Sequence, residues 1–446
     1  MLGAVALLLT TAGCEPDQPA AQAPTNPPPA TSVTLRVAVA EDAALAEAIK
    51  RLRGEWTERS GGQLVVEAWT ANEVLGRPAA QGAAKGAADL LIFPSRHLGE
   101  LSQTGRLRPM RKSVLNDEDL RASDFFPLVR ERLIVFGGET MALPIGCVTR
   151  VLVSRHAEQP LPQAALTWRD FFPDWRVTPP NNTPHAFALL ERAACYASHT
   201  SRTALLFDPE TMTPRLTEQA FLRSGELLQR KTPGAEVPIG VPTLAANRPA
   251  VMGPKRAQGT LRVPEGGRVS PLPGTDEVYN PIAEQWERVV GEPRHVPLLA
   301  TRGRLLGVST DTRNAASAFR FAAWLAGVQN ARQLSTTSPN VANVRKSLAR
   351  VADDWTGHDD RELGKQFAAV QAESLSSRYA FIVPRIIRID DYLQILDRQI
   401  RDLSLNAATP QQALAATAAA WEKLTDEIGR DRQRKCYQAH LATLGG

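Results

Sequence analysis

The hydrophobic pattern of the first third of the chain predicts alternating strands and helices. Continuous apolar runs at 33–40, 64–69 and 88–93 are typical of buried strands. After the first run, from Glu41 onward, apolar residues recur at helical spacing until a pair of glycines follows at 61 and 62. A strand, helix, strand, helix, strand order predicts an α/β fold with a parallel sheet.

The remaining pattern adds shorter strands and a long helical C-terminus. Strands are predicted over 140–145, 148–154, 249–252 and 304–309. Helices are predicted over 97–103, 184–197, 217–230, 315–326, 360–375, 388–403 and 410–439. No tandem repeat of fixed period is present in the sequence.

Composition narrows the class of protein. With 446 residues, 43% hydrophobic and 22% charged, the chain can bury two to three domain cores and is not generally disordered. The net charge of +5 is spread along the sequence, whereas a nucleic-acid binder would cluster basic residues on one face. We therefore expect no nucleic-acid partner.

The N-terminus resembles that of bacterial lipoproteins. Residues 2–12 form an apolar run too short to span a bilayer, and Thr11-Ala12-Gly13-Cys14 is similar to a lipobox. The resemblance implies a signal peptide over 1–13 and lipidation of Cys14, which would anchor the protein to a membrane of the cell envelope, facing the periplasm or the exterior. Residues 14–32 are Pro-rich and fit a tether of roughly 50 Å. The alternative is an apolar tail that ends at an incidental cysteine.

Three further cysteines, Cys147, Cys195 and Cys436, show no CxxC or histidine-spaced cluster. A metal site is therefore not expected, and we expect no cofactor. One disulfide and buried free thiols both remain open as interpretations.

Six segments, in this order, resemble the extracellular solute-binding proteins of bacterial ATP-binding-cassette (ABC) importers, the family 1 type that includes maltose-binding proteins. The segments are ADLLIFPSRHLGELSQTGRLRPM (88–110), ALPIGCVTRVLVSR (142–155), LTWRDFF (166–172), LAANRPAVMGPKRA (244–257), GVSTDTRNAASAFRFAAWLA (307–326) and TPQQALAATAAAWEKL (409–424). Their shared order carries the resemblance.

The resemblance implies a two-lobed α/β fold of the periplasmic-binding-protein type, class II, with a hinge between the lobes and a helical C-terminus. Lobe one would comprise 33–145 plus 305–350, and lobe two 146–304 plus 351–446. A small polar solute would bind between the lobes by hinge closure and pass to the permease subunits of an ABC importer. We expect a monomer without enzymatic activity, since no G-x-S-x-G, P-loop, H-E-x-x-H or G-x-G-x-x-G motif occurs in a supporting context.

The resemblance also implies where the solute would be contacted. Candidate ligand-binding residues are Glu41, Asp42, Trp69, Ser95, Arg96, His97, Asn182, Thr183, Lys255, Arg388 and Tyr392. Helix capping is the alternative role for Glu41 and Asp42, and a surface salt bridge is the alternative for Arg96. The adjacent pair Asp390-Asp391 is interpreted as a solvated face or a cap.

Carbohydrate is the first expectation for the solute, with Trp69 and Tyr392 as stacking platforms. Only 6% of the residues are aromatic, and Pro94 and Lys255 stand where sugar binders of this family commonly place rings. A non-sugar anionic solute met by Arg96, Lys255 and Arg388 is the alternative. A further alternative is a lipoprotein of the same fold that acts as a sensor or assembly partner.

Overall fold

The fold is described from a computed structural model. It describes residues 33–77, 86–154, 166–171, 175–177, 185–201, 204–229, 235–237, 268–338, 340–352 and 361–444. The strands are β1 Thr34–Ala40, β2 Gln63–Trp69, β3 Leu90–Pro94, β4 Leu107–Arg108, β5 Val135–Phe136, β6 Glu139–Thr140, β7 Leu143–Val148, β8 Leu152–Ser154, β9 Trp175–Val177, β10 Ala235–Val237, β11 Arg268–Ser270, β12 Glu277–Asn280, β13 Gln285–Arg288, β14 Leu298–Leu299, β15 Arg302–Ser309 and β16 Phe381–Ile382. The α-helices are α1 Ala43–Arg51, α2 Arg53–Ser60, α3 Ala71–Leu75, α4 Leu98–Gln103, α5 Lys112–Leu115, α6 Trp168–Phe171, α7 His185–Tyr196, α8 Gln219–Gln229, α9 Ala315–Leu325, α10 Val328–Leu334, α11 Lys346–Ala349, α12 Arg361–Ser376, α13 Ile389–Ser404, α14 Pro410–Ile428 and α15 Arg430–Ala442.

A mixed sheet organises the first region of the molecule. Its strand order is β2, β1, β3, β15, β4, and β7 also pairs with β15. Strand β1 runs parallel to both β2 and β3, as the sequence predicts. Strand β15 runs antiparallel to β3, β4 and β7. The three parallel strands therefore end, and β15 begins, at the same edge of the sheet.

The predicted first helix is two helices with a bend between them. The helix begins at Ala43, not at Glu41, because Asp42 caps it by accepting a hydrogen bond from the Leu45 N–H. The helix α1 ends at Arg51 with Leu52 as its C-cap, and α2 ends at Ser60 with Gly61 as its C-cap, where φ is a left-handed 68°. Trp56 of α2 packs edge-on against Phe321 of α9, with ring centroids 5.0 Å apart.

Helices dominate the second region, and an aromatic cluster fills its core. The Phe207 ring stacks on Trp421 of α14 at 5.1 Å and meets Tyr392 of α13 and Tyr437 of α15 edge-on. Helix α13 also packs against α7 and α8. The continuous helix predicted over 410–439 is wrong, because Gly429, with φ of 103°, ends α14 and starts α15.

A buried arginine joins the C-terminal region to the first region. Arg385 is fully buried, and its guanidinium donates hydrogen bonds to the carbonyls of Arg132, Leu133 and Val135. Next to it, α4 approaches the backbone so closely that a Cβ added to Gly99 would lie 1.6 Å from the Arg385 carbonyl oxygen. This contact leaves room for glycine alone.

The three cysteines that the structure describes are buried and free. The sequence left open one disulfide or buried free thiols, and the structure has buried free thiols. Within the described ranges, no helix is both long enough and apolar enough to cross a membrane. The same ranges contain no group of three or more metal-ligating side chains. The strand predicted over 249–252 lies outside the described residues.

The close approach at Gly99 predicts an asymmetric response to two Gly→Ala substitutions. Gly99→Ala should lower the free energy of unfolding by about 3 kcal/mol or more, because the added methyl overlaps backbone. Gly54→Ala, on the exposed face of α2 with open space around it, should raise it by about 0.4–1 kcal/mol. Urea unfolding of both variants measures this, and equal stability of the two would contradict the contact.

Candidate functional site

The candidate site lies at the edge where the parallel strands end. Glu41 follows β1, Trp69 ends β2 and Ser95 follows β3, so the topology brings these three predicted positions to one edge. Strand β15 enters at the same edge, with Arg304 paired to Pro94. In open α/β sheets, ligands bind beyond the carboxyl ends of the strands.

Glu41 and Asp42 take different roles at this edge. Glu41 is exposed, has φ of 50°, and donates its N–H to the Trp69 carbonyl at 2.8 Å. Asp42 is buried, and its second carboxylate oxygen accepts hydrogen bonds from Ser338 Oγ at 2.5 Å and Asn340 Nδ2 at 2.9 Å. One carboxylate oxygen of Asp42 caps α1, and the other binds the loop that carries Ser338 and Asn340. Asp42 therefore has a structural role, which includes the helix capping that the sequence left open as its alternative.

The two predicted aromatic platforms are enclosed. Trp69 is 7% exposed, and its indole N–H donates to Glu67 Oε2 at 3.0 Å. Tyr392 is 0% exposed, and its hydroxyl bonds Thr425 Oγ1 at 2.9 Å and Gln433 Nε2 at 3.0 Å. Stacking on a sugar needs an open ring face, so the structure gives Tyr392 a packing role and places it away from solvent. The helical spacing of 392 with the apolar residues of α13 is the sequence signal for that burial.

Arg96 and His97 share one carboxylate from a distant part of the chain. The Arg96 Nε donates to Asp390 Oδ1, and His97 Nε2 lies 2.7 Å from Asp390 Oδ2. Arg96 also donates from Nη1 to the Thr301 carbonyl at 3.4 Å. Burial raises the pKa of the Asp390 carboxyl, but the hydrogen bond from His97 and the charge of Arg96 outweigh it and hold this pKa well below its usual range.

Asp390 is thus a bridging residue, and its interpretation as a solvated or capping carboxylate is wrong. Its neighbour Asp391 accepts from Arg388 Nε at 2.5 Å. Arg388 itself has φ of 58°, and its Nη1 pairs with Glu427 at 2.5 Å. Two carboxylates therefore hold the Arg388 guanidinium, which leaves it less suited to a solute than the sequence suggests.

Three arginines at the edge were not predicted as site residues. Arg304 lies 3.6 Å from Asp42 Oδ2 and 3.5 Å from the Glu41 carbonyl oxygen. Arg150 forms an ion pair with Glu191, and both side chains are almost fully buried. Arg302 is half-buried at the start of β15. The alternation of Arg302 and Arg304 at the start of a strand is the sequence signal that could have identified them.

Four of the predicted site residues lie outside the described residues: Cys14, Asn182, Thr183 and Lys255. The edge brings together the predicted residues Glu41, Asp42, Trp69, Ser95, Arg96 and His97, and the structure adds Arg150, Arg302, Arg304 and Asp390.

A separate cavity of about 830 Å³ lies away from this edge. It is bordered by the end of α7, residues 204–210, residues 378–384 and α15. None of the candidate residues that the structure describes lines it. Its walls belong to the helical region, whereas the edge belongs to the sheet.

The comparisons with known proteins identify the fold. No protein-family model matches the chain, and no curated protein matches it. Solved structures do match over most of its length. The sugar-binding protein MalE from Xanthomonas citri superposes with a TM-score of 0.64 at 14% identity, covering 89% of this chain and 98% of that one.

Two further structures carry ligands. A cyclo/maltodextrin-binding protein complexed with maltotetraose has a TM-score of 0.60 at 15% identity, covering 90% and 99% of the two chains. An ABC transporter solute-binding protein from Agrobacterium radiobacter K84, in complex with ribitol, has a TM-score of 0.59 at 17% identity, covering 88% and 98%. The chain therefore has the two-lobed α/β fold of ABC-transporter solute-binding proteins, as the sequence predicts.

The shared carboxylate at the edge predicts a pH-dependent stability difference. Asp390→Asn should lower the free energy of unfolding at pH 7 by about 1–3 kcal/mol, because Arg96 and His97 lose a charged acceptor. The Asp390 pKa is depressed in the folded state, so this stabilisation is complete above the unfolded pKa near 4 and is lost as the pH falls below it.

Urea unfolding of wild type and variant at pH 7, 5, 4 and 3 checks this, and the difference should shrink below pH 4. Asp402→Asn, exposed on the same helix, is the matched control and should show no measurable difference at any pH. A difference of constant size across the pH range would contradict the bridging role of Asp390.

Proposed function

We propose that this chain is an extracytoplasmic solute-binding lipoprotein. It captures a small polar solute, a carbohydrate in the first place, between two lobes and delivers it to an ABC importer. The observation that carries the proposal is the fold match over about nine-tenths of the chain to solute-binding proteins, two of which hold maltotetraose and ribitol. The strand edge that collects Glu41, Ser95 and Arg96 is consistent with a solute site on lobe one.

The proposed lobe boundaries are those implied by the sequence: 33–145 plus 305–350 and 146–304 plus 351–446. The chain crosses between the proposed lobes at residues 145–146 and again at 304–305, and these two crossings lie side by side because β7 pairs with β15. At this point Gly303 has φ of 140°, and a Cβ on it would lie 2.9 Å from the Gly146 carbonyl oxygen. Two glycines in contact at neighbouring crossings suit a hinge, because glycine has no Cβ and its backbone dihedral angles can change with little steric cost.

Hinge closure couples binding to recognition by the transporter. A solute that contacts both lobes binds the closed state more tightly than the open state, so it shifts the population toward the closed state. The permease subunits then bind the closed form. On this proposal the protein acts as a monomer and holds its solute without chemical change.

On this proposal, the N-terminal segment exports the protein and anchors it to a membrane. Residues 1–13 act as a signal peptide, Cys14 carries lipid, and the Pro-rich residues 15–32 keep the lobes near a membrane.

Solute binding predicts thermal stabilisation of the mature chain. A ligand at a hundredfold excess over Kd adds about 2.7 kcal/mol, which should raise Tm by several degrees. A Tm screen with mono- and oligosaccharides, polyols, amino acids and anions measures this. Trimethylamine N-oxide (TMAO) at matched concentration is the control, because it belongs to none of these classes and stabilises through exclusion from the surface. Absence of a shift with every compound would overturn solute capture and favour the sensor or assembly role.

Lipidation predicts where the full-length chain fractionates. Expressed in a bacterium that processes lipoproteins, the wild type should enter the membrane fraction and the detergent phase, and its mature N-terminus should begin at modified Cys14. Cys14→Ser should move the protein to the soluble fraction. Thr11→Ser, which keeps a small hydroxyl residue three positions before the same cysteine, should remain membrane-bound. Membrane retention of Cys14→Ser would rule out this anchor.

A further inference from the structure

Arg302 stands beside two other arginines at the strand edge. Arg304 pairs with Pro94 in the antiparallel β15–β3 ladder. Arg302, two residues earlier on β15, therefore lies next to the loop that carries Arg96. Arg96 donates to the carbonyl of Thr301, the residue next to Arg302. Burial lowers the pKa of the Arg302 guanidinium, and the positive charges of Arg150 and Arg96 lower it further.

The carboxylates of this edge are already engaged by the other arginines. Arg96 pairs with Asp390, Arg304 with Asp42, and Arg150 with Glu191. Arg302 forms no ion pair and no side-chain hydrogen bond with any residue in the described part of the chain. The negative charge of exposed Glu41 raises the pKa of Arg304, whereas the positive charges of Arg150 and Arg96 lower the pKa of Arg302.

A half-buried cation without a counter-charge costs free energy. Water is partly removed from the guanidinium, and the neighbouring arginines repel it. Fully buried Arg345 avoids this cost, because it donates to three backbone carbonyls and pairs with Asp124. An anion bound at Arg302 would remove the cost.

The surroundings of Arg302 carry further unsatisfied and strained groups. Ser95 Oγ and Thr301 Oγ1 are buried and lack a hydrogen-bond partner among the described residues. Ala300 has φ of 63°, and Glu41 has φ of 50°. Such backbone conformations in non-glycine residues cost about 1–3 kcal/mol each and cluster at ligand sites. Both kinds of feature adjoin the arginines.

We infer that the solute is an acidic carbohydrate, and that Arg302 and Arg96 bind its carboxylate or ester phosphate. Each guanidinium presents five N–H donors in a fixed fork, which matches a carboxylate or phosphate in a bidentate pair. Arg96 keeps Asp390 on its Nε side, whereas Arg302 has its whole fork available to the anion. The inference rests on the proposed function and specifies the chemistry of its solute.

The experiment compares matched neutral and acidic sugars on the mature chain. Glucose, glucuronate and glucose 6-phosphate form one set, and galactose, galacturonate and galactose 6-phosphate another, each extended to the oligosaccharides of the neutral sugar and the uronate. Calorimetry should show at least one acidic sugar binding ten times more tightly than its neutral counterpart. Its affinity should fall as sodium chloride rises from 50 to 500 mM.

Variants of Arg302 identify the residue responsible. Arg302→Gln should weaken the acidic sugar at least tenfold, while the Tm of the unliganded protein stays equal or rises, because an uncompensated charge is removed. Arg302→Lys keeps the charge without the fork and should give an intermediate affinity. Arg288→Gln, an exposed arginine of the β12–β13 hairpin, is the matched control and should bind like wild type.

The outcomes separate the inference from the proposed function. Preference for a neutral sugar, with Arg302→Gln and Arg302→Lys binding like wild type, overturns the acidic-sugar inference and leaves solute capture standing. Binding of inorganic phosphate or glutamate as tightly as any sugar acid overturns the carbohydrate part. No binding by any compound overturns both. The tighter of uronate and sugar phosphate identifies the acidic group.

Discussion

One antiparallel strand fixes the geometry of the candidate site. Strand β15 lies between β3 and β4, also pairs with β7, and runs against its partners, so its first residues emerge where β1, β2 and β3 end. Had it run parallel, its arginines would have entered at the opposite edge. The proposed boundary between the lobes at residues 304 and 305 falls within the same strand, so the candidate site and the proposed hinge share one element.

Ion pairs from distant parts of the chain hold this edge together. Asp390 on α13 reaches Arg96 and His97, and Glu191 on α7 reaches Arg150. These contacts are buried or half-buried, where removing one partner is costly and replacing both is less so. The pairs therefore join the helical region to the sheet, and Arg302 is the arginine of this group that forms no ion pair with a described residue.

The local pattern predicted the fold well and the side-chain partners poorly. Strands such as β1 and β2 follow from apolar runs, because burial of a strand is visible in its own residues. The role of Asp390 is not visible in this way, since its partners lie more than 290 residues earlier. Tyr392 illustrates the converse: a family resemblance suggested a ligand platform, whereas packing against Phe207 and Trp421 decides its environment.

Burial of the cysteines determines how readily their thiols react with disulfides and oxidants. Burial raises the pKa of Cys147 and Cys436 to about 12 and that of Cys195 to about 11. At neutral pH only about one thiol in 10⁴ to 10⁵ is then a thiolate, the form that attacks disulfides and oxidants. The three thiols in the described part of the chain are thus protected from disulfide exchange, and the rate of their reaction with an alkylating reagent would report the local opening of the core.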